Sequence, residues 1–138
     1  MVRLIREIHR KTAPIAGFPS WQVGKLLIYS DEKAAAAMLK ADVNKMLPAY
    51  EAYTRALQGA GVLLAGDRLK TTHSASTIRV RDGKTQVLDG PYAETKEQLG
   101  GFYIVEAKDL DAAIDWAARC PGAAHGAVEV RPLWRMTA

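Results

Sequence analysis

The sequence contains a single cysteine, Cys120, among its 138 residues, and it contains no long run of apolar residues. One cysteine excludes an intramolecular disulfide and fits a reducing compartment. No apolar run approaches the roughly 20 residues that a helix needs to cross a bilayer. The charged stretch from Met1 to Lys11 also lacks the apolar core of a secretory signal. These absences predict a cytoplasmic protein with no membrane partner.

Short motifs that hold metals, nucleotides or activated nucleophiles are also absent from the sequence. One cysteine and a nearby histidine, His125, do not make a zinc ligand set. There is no phosphate-binding glycine loop, dinucleotide fingerprint or nucleophile elbow. We therefore predict that the protein uses no metal and no cofactor.

The net charge of +4 comes from the start of the chain. Residues 1–25 carry five basic side chains and one acidic one, whereas residues 26–138 carry 14 of each sign. No aromatic side chains alternate with the charges between Met1 and Lys11, as stacking on bases requires, which argues against a nucleic-acid partner. A proline- and glycine-rich stretch follows. We expect a basic N-terminal extension at residues 1–24 and one domain at residues 25–138.

Apolar periodicity in residues 25–138 predicts an alternation of strands and helices. A helix is predicted around Tyr50 and Tyr53, which share one helical face, and Asp109 is suited to cap a second helix. Asp82 and Gly83 tolerate positive φ and predict a hairpin turn. Strands are predicted at residues 25–30, 62–65, 76–81, 84–88, 101–106 and 127–133.

The order of these elements is β-α-β, a hairpin, then β-α-β. This order predicts an α+β domain with a ferredoxin-like split β-α-β arrangement and the hairpin as an insertion. Two helices cover only one face of a sheet whose strands are apolar on both sides. A second copy is the economical cover for the other face, and two-fold symmetry is usual. We therefore predict a homodimer formed through the uncovered sheet face.

The segment of residues 89–101, hereafter the signature segment, is the richest in polar groups. Asp89 follows a strand and precedes a tight turn, so it is a candidate general base or orienting carboxylate. Tyr92 and Lys96 are candidate ligand-binding groups, for an aromatic or polar molecule and for an anion. The alternative is that Asp89 and Thr95 only hydrogen-bond backbone amides in a long connection.

Three further candidates lie outside the signature segment. Tyr50 is a candidate catalytic residue because its phenol can donate a hydrogen bond, although an ordinary pKa of about 10 makes it a poor base. Tyr29 is a candidate ligand-binding residue. His73 lies in a polar loop and is a weaker catalytic candidate, because a lone loop histidine is usually just solvated.

The signature segment resembles the hallmark of YCII-related proteins of the DGPF type, with Tyr92 in place of the phenylalanine. The resemblance spans essentially residues 25–134, and residues 1–24 have no counterpart. It implies a bacterial protein with a dimeric α+β barrel built on the ferredoxin-like fold. Further matching stretches are residues 26–29, 60–66, 77–84, 116–121 and 128–133.

The resemblance also bears on chemistry. The better-known YciI branch is thought to use a His–Asp pair, and one relative is a dehydrochlorinase of a chlorinated hydroxyquinol. Alignment on Gly61 and the strand after it puts Tyr50 and Cys120 at the positions of that pair, and neither residue type matches. The branch's mechanism is therefore not transferred. We expect Cys120 to be inert, because nothing positive near a helix C-terminus favours its thiolate.

Three interpretations of the sequence stay open. The first is a cofactor-free enzyme for proton transfer or elimination on a small aromatic or lactone-like compound, with Asp89 facing a cleft. The second is a non-catalytic ligand-binding or regulatory module linked to a sigma-factor-controlled stress response. The resemblance implies this link, because members of the family look like neighbours of extracytoplasmic-function sigma factors in genomes. The third gives the signature segment a purely structural role. Family analogy alone puts the enzyme slightly ahead.

Overall fold

The structure, a computed structural model, describes residues 23–38 and 40–134. Most of the predicted N-terminal extension therefore lies outside the described residues. The described elements are β1 Val23–Ser30, α1 Glu32–Ala36, α2 Lys40–Gly59, β2 Leu63–Arg68, a 3₁₀ turn Thr72–Ser74, β3 Ser76–Arg81, β4 Lys84–Asp89, β5 Gln98–Glu106, α3 Leu110–Arg119, α4 Gly122–His125 and β6 Ala127–Pro132.

Four of the strands form one antiparallel sheet in the order β2-β5-β1-β6. Without the hairpin, this is the strand order of the ferredoxin-like fold, in which two β-α-β halves interleave. The predicted α+β class is therefore confirmed. Strands β3 and β4 form a separate two-stranded sheet, hereafter the ribbon. Its turn is the predicted one, and Asp82 and Gly83 have φ values of 52° and 72°.

Helices α2 and α3 build the core on one face of the sheet. In β1, Leu26 and Ile28 point to this side, and in β5 Val105 does the same. Asp109 caps α3 as expected, because its side chain accepts a hydrogen bond from the Ala112 amide at 2.8 Å. The buried members of this core are Leu26, Ile28, Tyr53, Leu57, Val105, Ala117 and Cys120.

The opposite face of the sheet, hereafter the open face, carries Leu27, Phe102 and Ile104. Leu27 pairs with Phe102 across β1 and β5, so both side chains lie on the same face. Among the described residues, none of these three belongs to the hydrophobic clusters built by the helices. Lys25 extends over this face, with its ammonium nitrogen 4.4 Å from the centre of the Phe102 ring.

Strand β5 begins at Gln98, three residues earlier than predicted, so the end of the signature segment is strand. The extension pairs with the end of β1, and next to it Gly101 pairs with Arg68 of β2. A Cβ atom on Gly101 would lie 2.9 Å from the Asp67 carbonyl oxygen. Glycine is therefore needed at position 101 because the two strands approach each other closely, and not because the chain forms a loop there. Within the described parts of the chain, no helix is long and apolar enough to cross a membrane.

Candidate functional site

The side chains of Tyr50 and Cys120 approach each other on the helix side of the sheet, and each affects the pKa of the other. Tyr50 comes from the middle of α2, and Cys120 follows directly after α3. Gly122 leaves room for this contact, because a Cβ there would lie 2.7 Å from the Tyr50 hydroxyl and from Ile28 Cγ2. The structure thus brings together the two positions that the resemblance assigned to the His–Asp pair of the YciI branch.

Burial keeps both groups of this pair protonated. Desolvation raises the pKa of the Tyr50 hydroxyl, and the neighbouring Cys120 raises it further. Desolvation also raises the pKa of the Cys120 thiol, although the Gly122 amide and the Tyr50 hydroxyl partly oppose this. Near neutral pH the pair supplies neither a base nor a thiolate. The expected inertness of Cys120 agrees with this environment.

A second group of hydroxyls surrounds the pair and was not anticipated from the sequence. Thr54 Oγ1 and the Tyr103 hydroxyl lie 2.9 Å apart, and Thr54 also donates to the Tyr50 carbonyl. The Tyr53 hydroxyl donates to the Trp116 carbonyl at 2.7 Å. The Tyr53 and Tyr103 rings meet edge to face at 5.4 Å. The available signal was helical spacing, since Thr54 stands four residues after Tyr50 on the same face.

An open groove of about 340 Å³ runs along α2 beside this cluster. Its lining residues recur every three or four positions, so they form one face of the helix. Only side chains of α2 line it, so it is a shallow depression that is open to solvent. Glu51 and Arg55 bring one charge of each sign to its rim. The lining residues are Leu47, Tyr50, Glu51, Thr54, Arg55 and Gln58.

Asp89 is the last residue of β4, and its side chain is exposed. Its carboxylate forms no hydrogen bond with any described residue, and it does not line the groove along α2. The turn after it is held by Gly90, which has a φ of 131°. The Gly90 amide donates to the Ala75 carbonyl at 2.7 Å, and its carbonyl accepts from Thr77 Oγ1 at 2.9 Å. Asp89 is therefore available to a partner, and its catalytic role stays a prediction.

The polar side chains later in the signature segment are used within the chain. Thr95 Oγ1 donates to the Glu97 carbonyl, and Gln98 Nε2 donates to the Thr95 carbonyl, both at 2.5 Å. Gln98 Oε1 accepts from the Glu32 amide at 2.9 Å. The Glu32 carboxylate in turn accepts from the Thr72 amide at 2.9 Å and the Thr72 hydroxyl at 2.7 Å. The contacts of Thr95 and Gln98 therefore fit the interpretation in which the signature segment has a purely structural role.

The remaining predicted site residues do not line the groove. Tyr92 is exposed, and the Arg79 guanidinium lies 5.1 Å from the centre of its ring. Lys96 is exposed, as is His73, which lies in the 3₁₀ turn. The Tyr29 hydroxyl donates to Glu129 at 3.3 Å, and burial together with that carboxylate raises the Tyr29 pKa. The structure therefore spreads these four candidates over several surfaces.

Among residues 23–38 and 40–134, no group of three or more His, Cys, Asp or Glu side chains is arranged to hold a metal ion.

Comparison with known proteins gives two matches. The model of the YCII-related domain matches residues 25–137, which include the sheet, both long helices and the signature segment. A protein of Rhizobium meliloti (strain 1021), described as uncharacterized, is 41% identical over 110 residues. That alignment covers 78% of this chain and 89% of the relative.

Proposed function

Because the chain belongs to the YCII-related family, we propose that it handles a small molecule, which it binds in the groove along α2. The observation that carries this proposal is the half-buried ring of Tyr50. The Tyr50 hydroxyl packs beside Gly122 and Cys120, so the ring forms a wall of the groove. A small aromatic or lactone-like compound fits such a wall, with Leu47 as a second apolar contact.

A titration with 3,4-dihydrocoumarin, an aromatic lactone, tests this binding. We expect the probe to shift the backbone amide resonances of Thr54, Arg55 and Gln58. Leu47→Glu places a charge against the apolar probe and should weaken binding about tenfold, which corresponds to about 1.4 kcal/mol.

Val43→Glu is the matched control for this titration, because Val43 is exposed on the same helix but does not line the groove. It should change affinity less than about twofold, as expected of surface positions away from a site. Shifts that map to another surface, or equal affinity for both variants, contradict binding in the groove.

A second candidate function, proton transfer, is favoured by the unpaired and exposed carboxylate of Asp89. In this proposal Asp89 removes a proton from the carbon next to a carbonyl group and then returns one to the same carbon. The step only replaces one hydrogen of the substrate with a hydrogen from solvent, so it needs no oxidant or co-reactant. Regulation through ligand binding, linked to a sigma-factor-controlled stress response in a bacterial cytoplasm, is the non-catalytic alternative.

Deuterium exchange at C3 of 3,4-dihydrocoumarin in D₂O separates these two candidates. The enzyme proposal expects exchange faster than in buffer, and Asp89→Asn should return the rate to the buffer level. Asp82→Asn is the matched control, because Asp82 is an exposed carboxylate at the other end of the ribbon. Exchange at the buffer rate with the unchanged protein rejects the catalytic role and leaves ligand binding intact.

We further propose that two copies pair through the open face. The half-buried apolar side chains of Phe102 and Ile104 support this proposal, because an apolar sheet face needs a cover. The charges around them also support it. Lys25, Arg131 and Glu129 lie on this same face, so a two-fold axis can bring opposite charges together.

A further inference from the structure

The ribbon formed by β3 and β4 is attached to the rest of the domain through two connections. Among the described strands, β3 and β4 pair only with each other. The chain enters the ribbon through residues 69–74, hereafter the incoming connection, and leaves it through residues 91–97, the outgoing connection. The incoming connection begins at Leu69, whose amide donates to the Gly100 carbonyl of β5 at 2.9 Å. The contacts of these connections therefore bear directly on where the ribbon lies.

The base of the ribbon is closed by hydrogen bonds of its own. The Gly90 amide donates to the Ala75 carbonyl at 2.7 Å, and Thr77 Oγ1 donates to the Gly90 carbonyl at 2.9 Å. The paired strands continue from this base to the turn. These bonds join parts of the ribbon to each other and not to the main sheet. Residues 75–90 can therefore move as one unit without losing their internal pairing.

Glu32, the first residue of α1, is bonded to both connections at once. Its carboxylate accepts from the amide and the hydroxyl of Thr72 in the incoming connection, at 2.9 and 2.7 Å. Its own amide donates to Gln98 Oε1 at 2.9 Å, and Gln98 Nε2 donates to the Thr95 carbonyl in the outgoing connection at 2.5 Å. Bonds to a carboxylate are charge-assisted, and Glu32, Thr72 and Gln98 are half-buried, which strengthens these bonds.

The start of α1 leaves Glu32 free to make both contacts. The first amides of a helix have no hydrogen-bond partner within the helix. The Asp31 carboxylate accepts from the amides of Lys33 and Ala34, at 2.9 and 3.1 Å. The Glu32 amide is not used by this cap, and it donates to Gln98 instead. One helix start therefore holds two segments that lie 40 and 66 positions away in the sequence.

We propose that Glu32 is a clasp that sets the position of the ribbon, and that opening this clasp lets residues 75–90 swing as one arm. The two connections act as the hinges, because a few loop residues can absorb the change in φ and ψ that such a motion needs. Asp89 ends β4, and Tyr92 follows in the outgoing connection, so the clasp also sets where these two candidate residues lie. The proposal is independent of the ligand groove and of the open face.

The distance between two spin labels tests the clasp. In a Cys120→Ala background, Lys84→Cys places one label near the tip of the ribbon and Lys108→Cys places the other in the loop after β5, both at exposed positions. An excess of unlabelled protein confines the measured distances to one chain. Glu32→Ala removes both bonds to Thr72 and should broaden the distance distribution about twofold, because the arm then samples several positions.

Two further variants make this result specific to the clasp, and circular dichroism should show that each is folded. Glu94→Ala removes an exposed carboxylate from the outgoing connection and should leave the distribution unchanged. Glu32→Gln keeps a side chain that can bond to both the amide and the hydroxyl of Thr72, so it should keep the distribution narrow. A narrow distribution in Glu32→Ala, or equal broadening by Glu94→Ala or Glu32→Gln, overturns the clasp.

Hydrogen exchange of single amides distinguishes a swinging arm from a melted ribbon. In Glu32→Ala the Thr72 amide loses its acceptor and should exchange at least about tenfold faster than in the unchanged protein. The Gly90 amide, bonded to Ala75 within the base of the ribbon, should change by less than about twofold. Equal acceleration of the two amides overturns motion as one arm. None of these results affects the binding of dihydrocoumarin in the groove or proton transfer by Asp89 in the unchanged protein.

Discussion

At the scale of single residues, the contact between Tyr50 and Cys120 determines which chemistry the helix side of the sheet can support. A half-buried phenol and a buried thiol side by side stay neutral near pH 7, because desolvation raises the pKa of both. The catalytic role first considered for Tyr50 is therefore better described as a positioning role, in which the hydroxyl holds the ring against the groove. Asp89, which is exposed and unpaired among the described residues, is the better candidate for proton transfer.

The same burial predicts a loss of stability at alkaline pH. Burial raises the pKa of the Cys120 thiol above its ordinary value of 9.0, so the folded protein keeps this proton longer than the unfolded chain does. The thiol's contribution is therefore fully present below pH 9 and is lost as pH rises above it. Between pH 9 and 10 the free energy of unfolding should fall by up to about 1 kcal/mol more in the unchanged protein than in Cys120→Ala.

Urea unfolding at pH 7, 9 and 10, at one protein concentration, measures this difference. Tyr50 and Tyr53, whose pKa values burial raises above the ordinary 10.0, also lower stability toward pH 10, but they do so in both proteins, so the comparison with Cys120→Ala removes most of their contribution. At pH 7 the two proteins should differ only by a constant offset. Parallel pH profiles for the unchanged protein and Cys120→Ala would show that the thiol is not protected.

At the scale of helices and strands, local patterns in the sequence predict which elements form, but they do not predict all of the contacts between elements. Alternation and helical spacing identified all six strands and the two long helices, because burial of one face produces a regular pattern of apolar residues along the sequence. The early start of β5 was missed because Gly100 has the local signature of a loop, whereas the strand there depends on pairing with the distant β1. The Thr54–Tyr103 bond joins residues 49 positions apart, which no local pattern records.

The pair of glycines at the start of β5 provides a prediction with an internal control. A Cβ on Gly101 would lie 2.9 Å from the Asp67 carbonyl oxygen, whereas a Cβ on Gly100 meets nothing closer than 3.9 Å. Gly101→Ala should therefore force β2 and β5 apart and cost about 1–3 kcal/mol of unfolding free energy, as overpacking does. Gly100→Ala should be close to neutral. Similar unfolding midpoints for the two variants in urea would contradict close strand approach as the role of Gly101.

At the scale of the whole molecule, the candidate sites lie on different sides of one domain. The groove lies along α2, the open face lies across the sheet from the helices, and Asp89 lies on the ribbon. The sequence predicted the two-sided sheet because β1 and β5 are apolar at successive positions. It could not predict the groove, because its lining residues alternate with buried ones on the same helix and include polar side chains that look merely solvated.

The last prediction concerns the open face of the sheet. If the open face pairs two copies, the protein should show twice the 15.1 kDa mass of one chain in light scattering. Phe102→Asp should reduce the mass to that of one chain, because it buries an unpaired carboxylate in the interface.

Val43→Asp is the control for the added charge, because Val43 is exposed on α2, on the other side of the sheet from the open face. It should leave the mass at that of two chains, and circular dichroism should show that both variants remain folded. A monomer for the unchanged protein would reject pairing through the open face. A dimer that survives Phe102→Asp would also reject it, since a buried, unpaired carboxylate at the centre of such a face costs several kcal/mol.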